Sequence, residues 1–106
     1  MSKKPETRFW ENKVKPRLEQ ISGLWFTKVQ MVSIRGIPDI LGCYRGKFFA
    51  FEMKVRPNKL KVGSLQWHHI ESINRSGGLG RELTPENLDR CIEELLCLDG
   101  SEKNPQ

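Results

Sequence analysis

The chain predicts a small α/β domain in which a mixed sheet is covered by helices. Three observations carry this reading. Near the start and near the end, apolar residues recur every three or four positions, the spacing of amphipathic helices. The middle instead holds short strings rich in aromatic and β-branched residues, bounded by Gly and Pro, as strands are. A length of 106 residues leaves room for one modest core, hiding about two-thirds of the surface of the extended chain, and for no second module.

The elements follow in order. The opening MSKKPETR is polar and reads as a flexible tail over residues 1–8, ahead of a domain at 9–98. Phe9, Trp10, Val14, Leu18 and Ile21 then mark the apolar face of a first helix. Pro16 interrupts it; inside a regular helix it would cost about 3 kcal/mol, so a kink or a fresh start with Pro16 in the first turn is expected. Ser22 and Gly23 end the helix, and LWFTKVQMVSI is a first strand.

Arg35 and Gly36 turn the chain into a second strand, IPDILGCY, with Pro38 at an early or edge position. Arg45, Gly46 and Lys47 connect it tightly to the third, KFFAFEMKV, which Pro57 stops. The basic loop RPNKLKVGS leads to a helix from about Ser64 to Arg75, with Leu65, His68 or His69, and Ile73 on its apolar side. LGREL is a short, polar last strand. Thr84 then caps a final helix with Pro85 at its first position and a stripe of Leu88, Cys91, Ile92, Leu95 and Leu96, and residues 99–106 read as a second flexible tail.

Composition narrows the function classes. Lys and Arg number 18 against 13 Asp and Glu, a formal charge of +5 that favours a polyanionic partner and equally describes a solubilised surface. Cys43, Cys91 and Cys97 are too few and too widely spaced for a disulfide framework, and no CxxC pair offers a zinc site. No secretory or membrane-spanning segment is present, so a cytoplasmic protein without membrane contact is expected. Gly77, Gly78 and Gly80 lack the lysine and serine that would make a nucleotide-cradling loop.

The chemistry concentrates between Arg35 and Leu60. In the third strand, alternation puts Phe48, Ala50, Glu52 and Lys54 on one face and Phe49, Phe51, Met53 and Val55 on the other. On the open side of an edge strand, Glu52 and Lys54 would be a surface ion pair worth about 0 to 1 kcal/mol. Asp39 supplies the competing reading, because the short connection can bring it alongside Glu52. Two close carboxylates raise one another's proton affinity unless a cation lies between them. Magnesium commonly takes one or two carboxylates, keeps several waters and contacts phosphate. Lys54 would face the metal-bound water and the phosphate, holding the nucleophile in line or stabilising developing negative charge, and the backbone carbonyl of Met53 could complete the coordination shell.

Pro38-Asp39 followed by Glu52-Met53-Lys54 resembles the PD-(D/E)xK nuclease signature, and the string GIPDILGCYRGKFFAFEMK with Leu65-Gln66 is similar to the VRR-NUC branch, including compact phage-type proteins. The resemblance runs from about Phe9 to Leu96 and implies a restriction-endonuclease-like core of order αβββαβ, here with an added C-terminal helix. It implies Asp39 and Glu52 as metal carboxylates, Lys54 as the catalytic lysine, Gln66 as the helix glutamine and Glu11 as the first-helix glutamate, with Glu19 and Glu6 as other choices. The polar LGREL departs from the apolar fourth strand of that family.

The activity so implied is magnesium-dependent hydrolysis of DNA phosphodiesters, with manganese as a substitute, leaving a 5′-phosphate and a 3′-hydroxyl. Branched DNA such as a Holliday junction is the substrate hypothesis, a homodimer the expected assembly, and an accessory protein is left open. Lys28, Arg35, Arg45, Lys47, Arg56, Lys59 and Lys61 surround the acids in sequence and suit phosphate contacts. Trp25, Trp67 and Tyr44 are stacking or packing residues. The alternatives are a nucleic-acid-binding accessory domain with little catalysis, or an interaction domain in which the three charges are only a surface network.

Overall fold

The computed structural model describes residues 3–30 and 33–97. It is an α/β arrangement in which a four-stranded mixed sheet is packed by helices on both faces. The first helical run comprises α1 (Pro5–Phe9), a π-helical turn (Trp10–Val14) and α2 (Lys15–Glu19). Then come β1 (Leu24–Lys28), β2 (Ile40–Tyr44), β3 (Lys47–Met53), α3 (Leu65–Arg75), β4 (Leu79–Leu83) and α4 (Leu88–Leu96). The expected C-terminal tail, 99–106, lies outside the described residues.

The first run begins at Pro5, so residues 5–8 are helical where a loose tail was expected. Pro16 lies in the first turn of α2, one of the two expected outcomes, although the backbone stays helical across the junction. A proline ring inside an α-helix clashes with the carbonyl four residues back and has no N–H for it. Here the preceding turn is wider, and the Lys15 N–H reaches the Trp10 carbonyl, a π-type bond that accommodates the ring.

The sheet order is β1-β2-β3-β4; the first two pairings are antiparallel and β3–β4 is parallel. Arg45 (φ 51°) and Gly46 (φ 84°) both occupy the left-handed region, as the two-residue hairpin joining β2 to β3 requires. Phe49, Phe51 and Met53 project to one face with Ile40 and Tyr44, where Phe9, Val14 and Leu18 of the first run and Leu88, Cys91, Ile92 and Leu95 of α4 meet them. Burying each large side chain there stabilises the domain by roughly 1.5–3 kcal/mol.

The other face is covered by α3, which packs on β3 and β4. Ile70 is its buried residue, whereas Leu65, expected inside, is 54 % exposed. The final helix starts at Leu88 rather than at Pro85. Thr84 closes a turn before it, its hydroxyl accepting the Asn87 N–H while its own N–H donates to the Asn87 side chain. Leu96 and Cys97 are exposed, outside the core stripe, whereas burial pushes the Cys91 thiol up to about 11, with Glu94 adding to the shift. No helix among the described residues is long and apolar enough to cross a membrane.

Candidate active site

The strand register assembles a row of acids. Ile40 faces Phe51 across β2 and β3, so one step further along the same register Asp39 comes opposite Glu52. On the other side, Glu52 is paired with Glu82 of β4. Because Phe51, Met53 and Leu83 point into the large core, alternation within β3 and β4 turns Glu52 and Glu82 to the opposite face, the one on which α3 packs. β3 is an interior strand and Glu52 is only 3 % exposed, so the surface ion-pair reading of Glu52 and Lys54 does not hold.

Burial, then repulsion from Asp39, push the Glu52 carboxyl up to about 7, against the opposing charge of Lys54, whose Nζ lies 3.6 Å from Oε2. The other oxygen, Oε1, is buried without a hydrogen-bond partner among the described residues. Asp39 is also raised, first by burial, with the Met53 N–H, Lys28 and Lys54 pulling the other way. A buried carboxylate oxygen without a partner beside a second carboxylate is an arrangement that a cation would satisfy. Among the described residues no cluster of three or more His, Cys, Asp and Glu is placed to hold a metal. Asp39 and Glu52 offer two carboxylates, and a pair of carboxylates supplemented by backbone and water is a donor set that magnesium accepts.

Pro38 supplies a further element. It comes opposite Met53 in the extended register and has no N–H with which to continue the ladder. The Met53 carbonyl therefore receives nothing from Pro38, while the Met53 N–H donates to Asp39 Oδ2 at 2.8 Å. The motif thus orients the Asp39 side chain through the strand that carries Glu52. Asp39 is tied on its other flank by the Val29 N–H, which donates to its carbonyl at 2.7 Å. Gly36, at φ 80°, lets the preceding loop lie on α3, where an added Cβ would come within 2.7 Å of the Leu65 Cβ.

The first helical run contributes Glu6 rather than Glu11. Burial and the charge of Asp39 raise the Glu6 carboxyl, and Glu6 in turn raises Glu52. Glu11 sits on the rim of the same recess, a space of about 240 Å³ bounded also by Trp10, Lys28 and Gln30, but its carboxylate is exposed and paired with Lys3. Glu19 is exposed at the last position of α2. Glu6 stood behind Glu11 among the sequence choices because it precedes the first apolar residue of the helix; Pro5 followed by an acid, a helix-opening pair, was the signal in its favour.

The basic residues divide. Lys54, Lys59 and Lys61 line one cavity of about 620 Å³ together with Pro57, Asn58, Ser64 and Gln66, so the structure brings Gln66 and the catalytic-lysine candidate together. Lys28 faces Asp39 and Glu6 from β1, with its amine 6.0 Å from the Trp10 ring centre. Arg35 is exposed on the loop leading to Asp39. Arg56 is exposed and pairs with Glu86 at 3.3 Å.

Arg45 and Lys47 do not join this group. The hairpin carries them to the opposite end of β3, about 17 Å of strand from Glu52, where Arg45 packs on Tyr44. Tyr44 is itself a core residue, while Trp67 is half-buried against His68. Glu82 was not anticipated from sequence. Its Oε2 accepts the Leu60 N–H at 2.9 Å, which ties the basic loop to β4. No protein-family model, curated protein or solved structure matches the chain.

Proposed function

We propose that the protein is a magnesium-dependent DNA endonuclease with a PD-(D/E)xK core of the VRR-NUC type. The observation that carries the reading is the buried Glu52 with the half-buried Asp39 opposite it, Glu52 Oε1 being without a hydrogen-bond partner among the described residues and Lys54 Nζ lying 3.6 Å from Oε2. The order helix, three strands, helix, strand supports it, as does the basic cavity beside Lys54.

In this reading Asp39, Glu52 and the Met53 carbonyl hold Mg²⁺, or Mn²⁺ in its place. When bound, the ion polarises a phosphate oxygen and acidifies an attacking water. The chain's own residues do the rest. Lys54 reaches the phosphate from the cavity side and stabilises the negative charge that grows on its oxygens as the new P–O bond forms. Gln66, across the same cavity, donates to phosphate or water through its amide. Lys59 and Lys61 neutralise neighbouring phosphates, and Lys28 limits repulsion between the acids and an incoming backbone. The P–O3′ bond breaks, leaving a 5′-phosphate and a 3′-hydroxyl.

Branched DNA is the proposed substrate class and a two-fold dimer the proposed assembly, since resolving a junction requires two cuts on opposed backbones. The test compares the wild type with Asp39→Ala and Lys54→Ala on four-way junction, flap, duplex and single-stranded DNA, each with Mg²⁺, Mn²⁺ or EDTA. Metal-dependent cleavage abolished by both substitutions is the expected result. Cleavage that survives both would place the active centre elsewhere.

A further inference from the structure

The cavity beside Lys54 contains more than an anion site requires. Its cationic side is clear: Lys54, Lys59 and Lys61 converge there, and the first turn of the eleven-residue α3 begins at its wall, with Ser64 accepting the Trp67 N–H. Phosphate, however, has only acceptor oxygens and is satisfied by donors alone. The lining also includes two primary amides, Asn58 and Gln66, each presenting an acceptor oxygen beside its donors, and no hydrogen-bond partner for either side chain is found among the described residues. Paired donor and acceptor groups of this kind match the edge of a nucleobase.

Shape and tethering agree with this. At about 620 Å³ the space lies within the roughly 300–1,000 Å³ of small-molecule sites and far exceeds what one phosphate fills. One wall is the loop carrying Pro57 to Lys61, whose ring and lysine stems give an apolar surface; the other is the start of α3. The loop wall is fixed at Leu60 by Glu82, at Asn58 by the Val55 carbonyl and at Lys61 by the Ser64 hydroxyl. A recess walled on two sides takes a base out of its stack.

We infer that this cavity is a subsite for one nucleotide next to the cleaved bond, binding its phosphate through Lys59 and Lys61 and its base edge through Asn58 and Gln66. The inference rests on the nuclease reading for its place beside the cleaved bond, and its binding chemistry requires no metal. The substrate class that follows is DNA with an unpaired nucleotide at that position.

The test titrates the full chain in EDTA with deoxyadenosine 5′-monophosphate, deoxyadenosine or inorganic phosphate, followed by calorimetry and by NMR shifts of the Asn58 and Gln66 side-chain amides. The nucleotide is expected to bind at least fivefold more tightly than either fragment and to move both amides. Asn58→Leu, a change in an exposed loop, should erase the preference over phosphate while leaving phosphate binding in place. Equal affinity for phosphate and nucleotide, unmoved amides, or a preference that survives Asn58→Leu would overturn the subsite. Because no metal or turnover is involved, nucleotide binding by a protein that cleaves no DNA would sink the nuclease reading alone, and metal-dependent cleavage without nucleotide binding would sink the subsite alone.

Discussion

Asp39 Oδ2 accepts the N–H of Met53 at 2.8 Å, so the first acid of the site is held by the backbone next to the second. This bond lies outside the strand ladder, and it separates the charge of Asp39 from its geometry. Asp39→Asn keeps an acceptor for Met53 and loses the charge. Its thermal midpoint should stay within about 3 °C of wild type, while metal-dependent cleavage falls by about 10²-fold or more. Paired melting and single-turnover measurements check both halves.

The Glu52 carboxyl gives a pH signature in the metal-free protein. Its folded value of about 7 lies above the ordinary 4.5, so the native state binds this proton more tightly than the unfolded chain does. The contribution to stability is fully present below about pH 4.5 and is lost as pH rises through about 7, by at most about 3 kcal/mol. Urea melts from pH 5 to 8 in EDTA should show this decline, and Glu52→Gln should flatten it. Magnesium should raise the midpoint more at pH 8 than at pH 6, since binding must displace that proton.

Of the first-run glutamates, Glu6 rather than Glu11 shares the field of Asp39 and Glu52. Glu6→Ala should lower metal-dependent cleavage by about 10–100-fold. Glu11→Ala, which removes an exposed ion pair with Lys3, should change it less than about twofold. Cleavage rates of the two variants side by side decide the assignment.

Glu82 acts through the loop it tethers. Glu82→Ala should speed hydrogen exchange at the Leu60 amide and raise KM for DNA several-fold with a smaller loss in kcat. Glu82→Gln retains an acceptor and should recover most of both. An equal fall in kcat and kcat/KM would argue that Glu82 meets the reacting groups directly.

The split among the basic residues is testable by salt. Removing Lys59 and Lys61 together should reduce the slope of log K against log[salt] by up to about 2. Arg45→Ala and Lys47→Ala, at the other end of the hairpin, should leave the slope unchanged.

Much of this was legible in the sequence. β3, its hairpin, the order of elements and the sharing of one face by Glu52 and Lys54 follow from period-two alternation and Gly/Pro punctuation, which are local signals. Whether that face was open or buried was not local, because it depends on β4, whose polar LGREL concealed an interior role for β3. Arg45 and Lys47 looked near Asp39 along the chain, but a hairpin places the residues of its turn farthest from the outer ends of its strands. Ile70 rather than Leu65 turned inward because contact with Gly80 and the sheet, and not the apolar count of α3, sets that helix's phase.

The widened turn before Pro16 governs the direction of a carboxylate ten residues upstream. Each residue of an α-helix advances the winding by about 100°. Tightening that turn to ordinary pitch would therefore rotate everything before it relative to the sheet, swinging Glu6 away from Asp39. Within this short run, an imino acid that touches none of the reactive groups sets the angular phase at which an acid meets them.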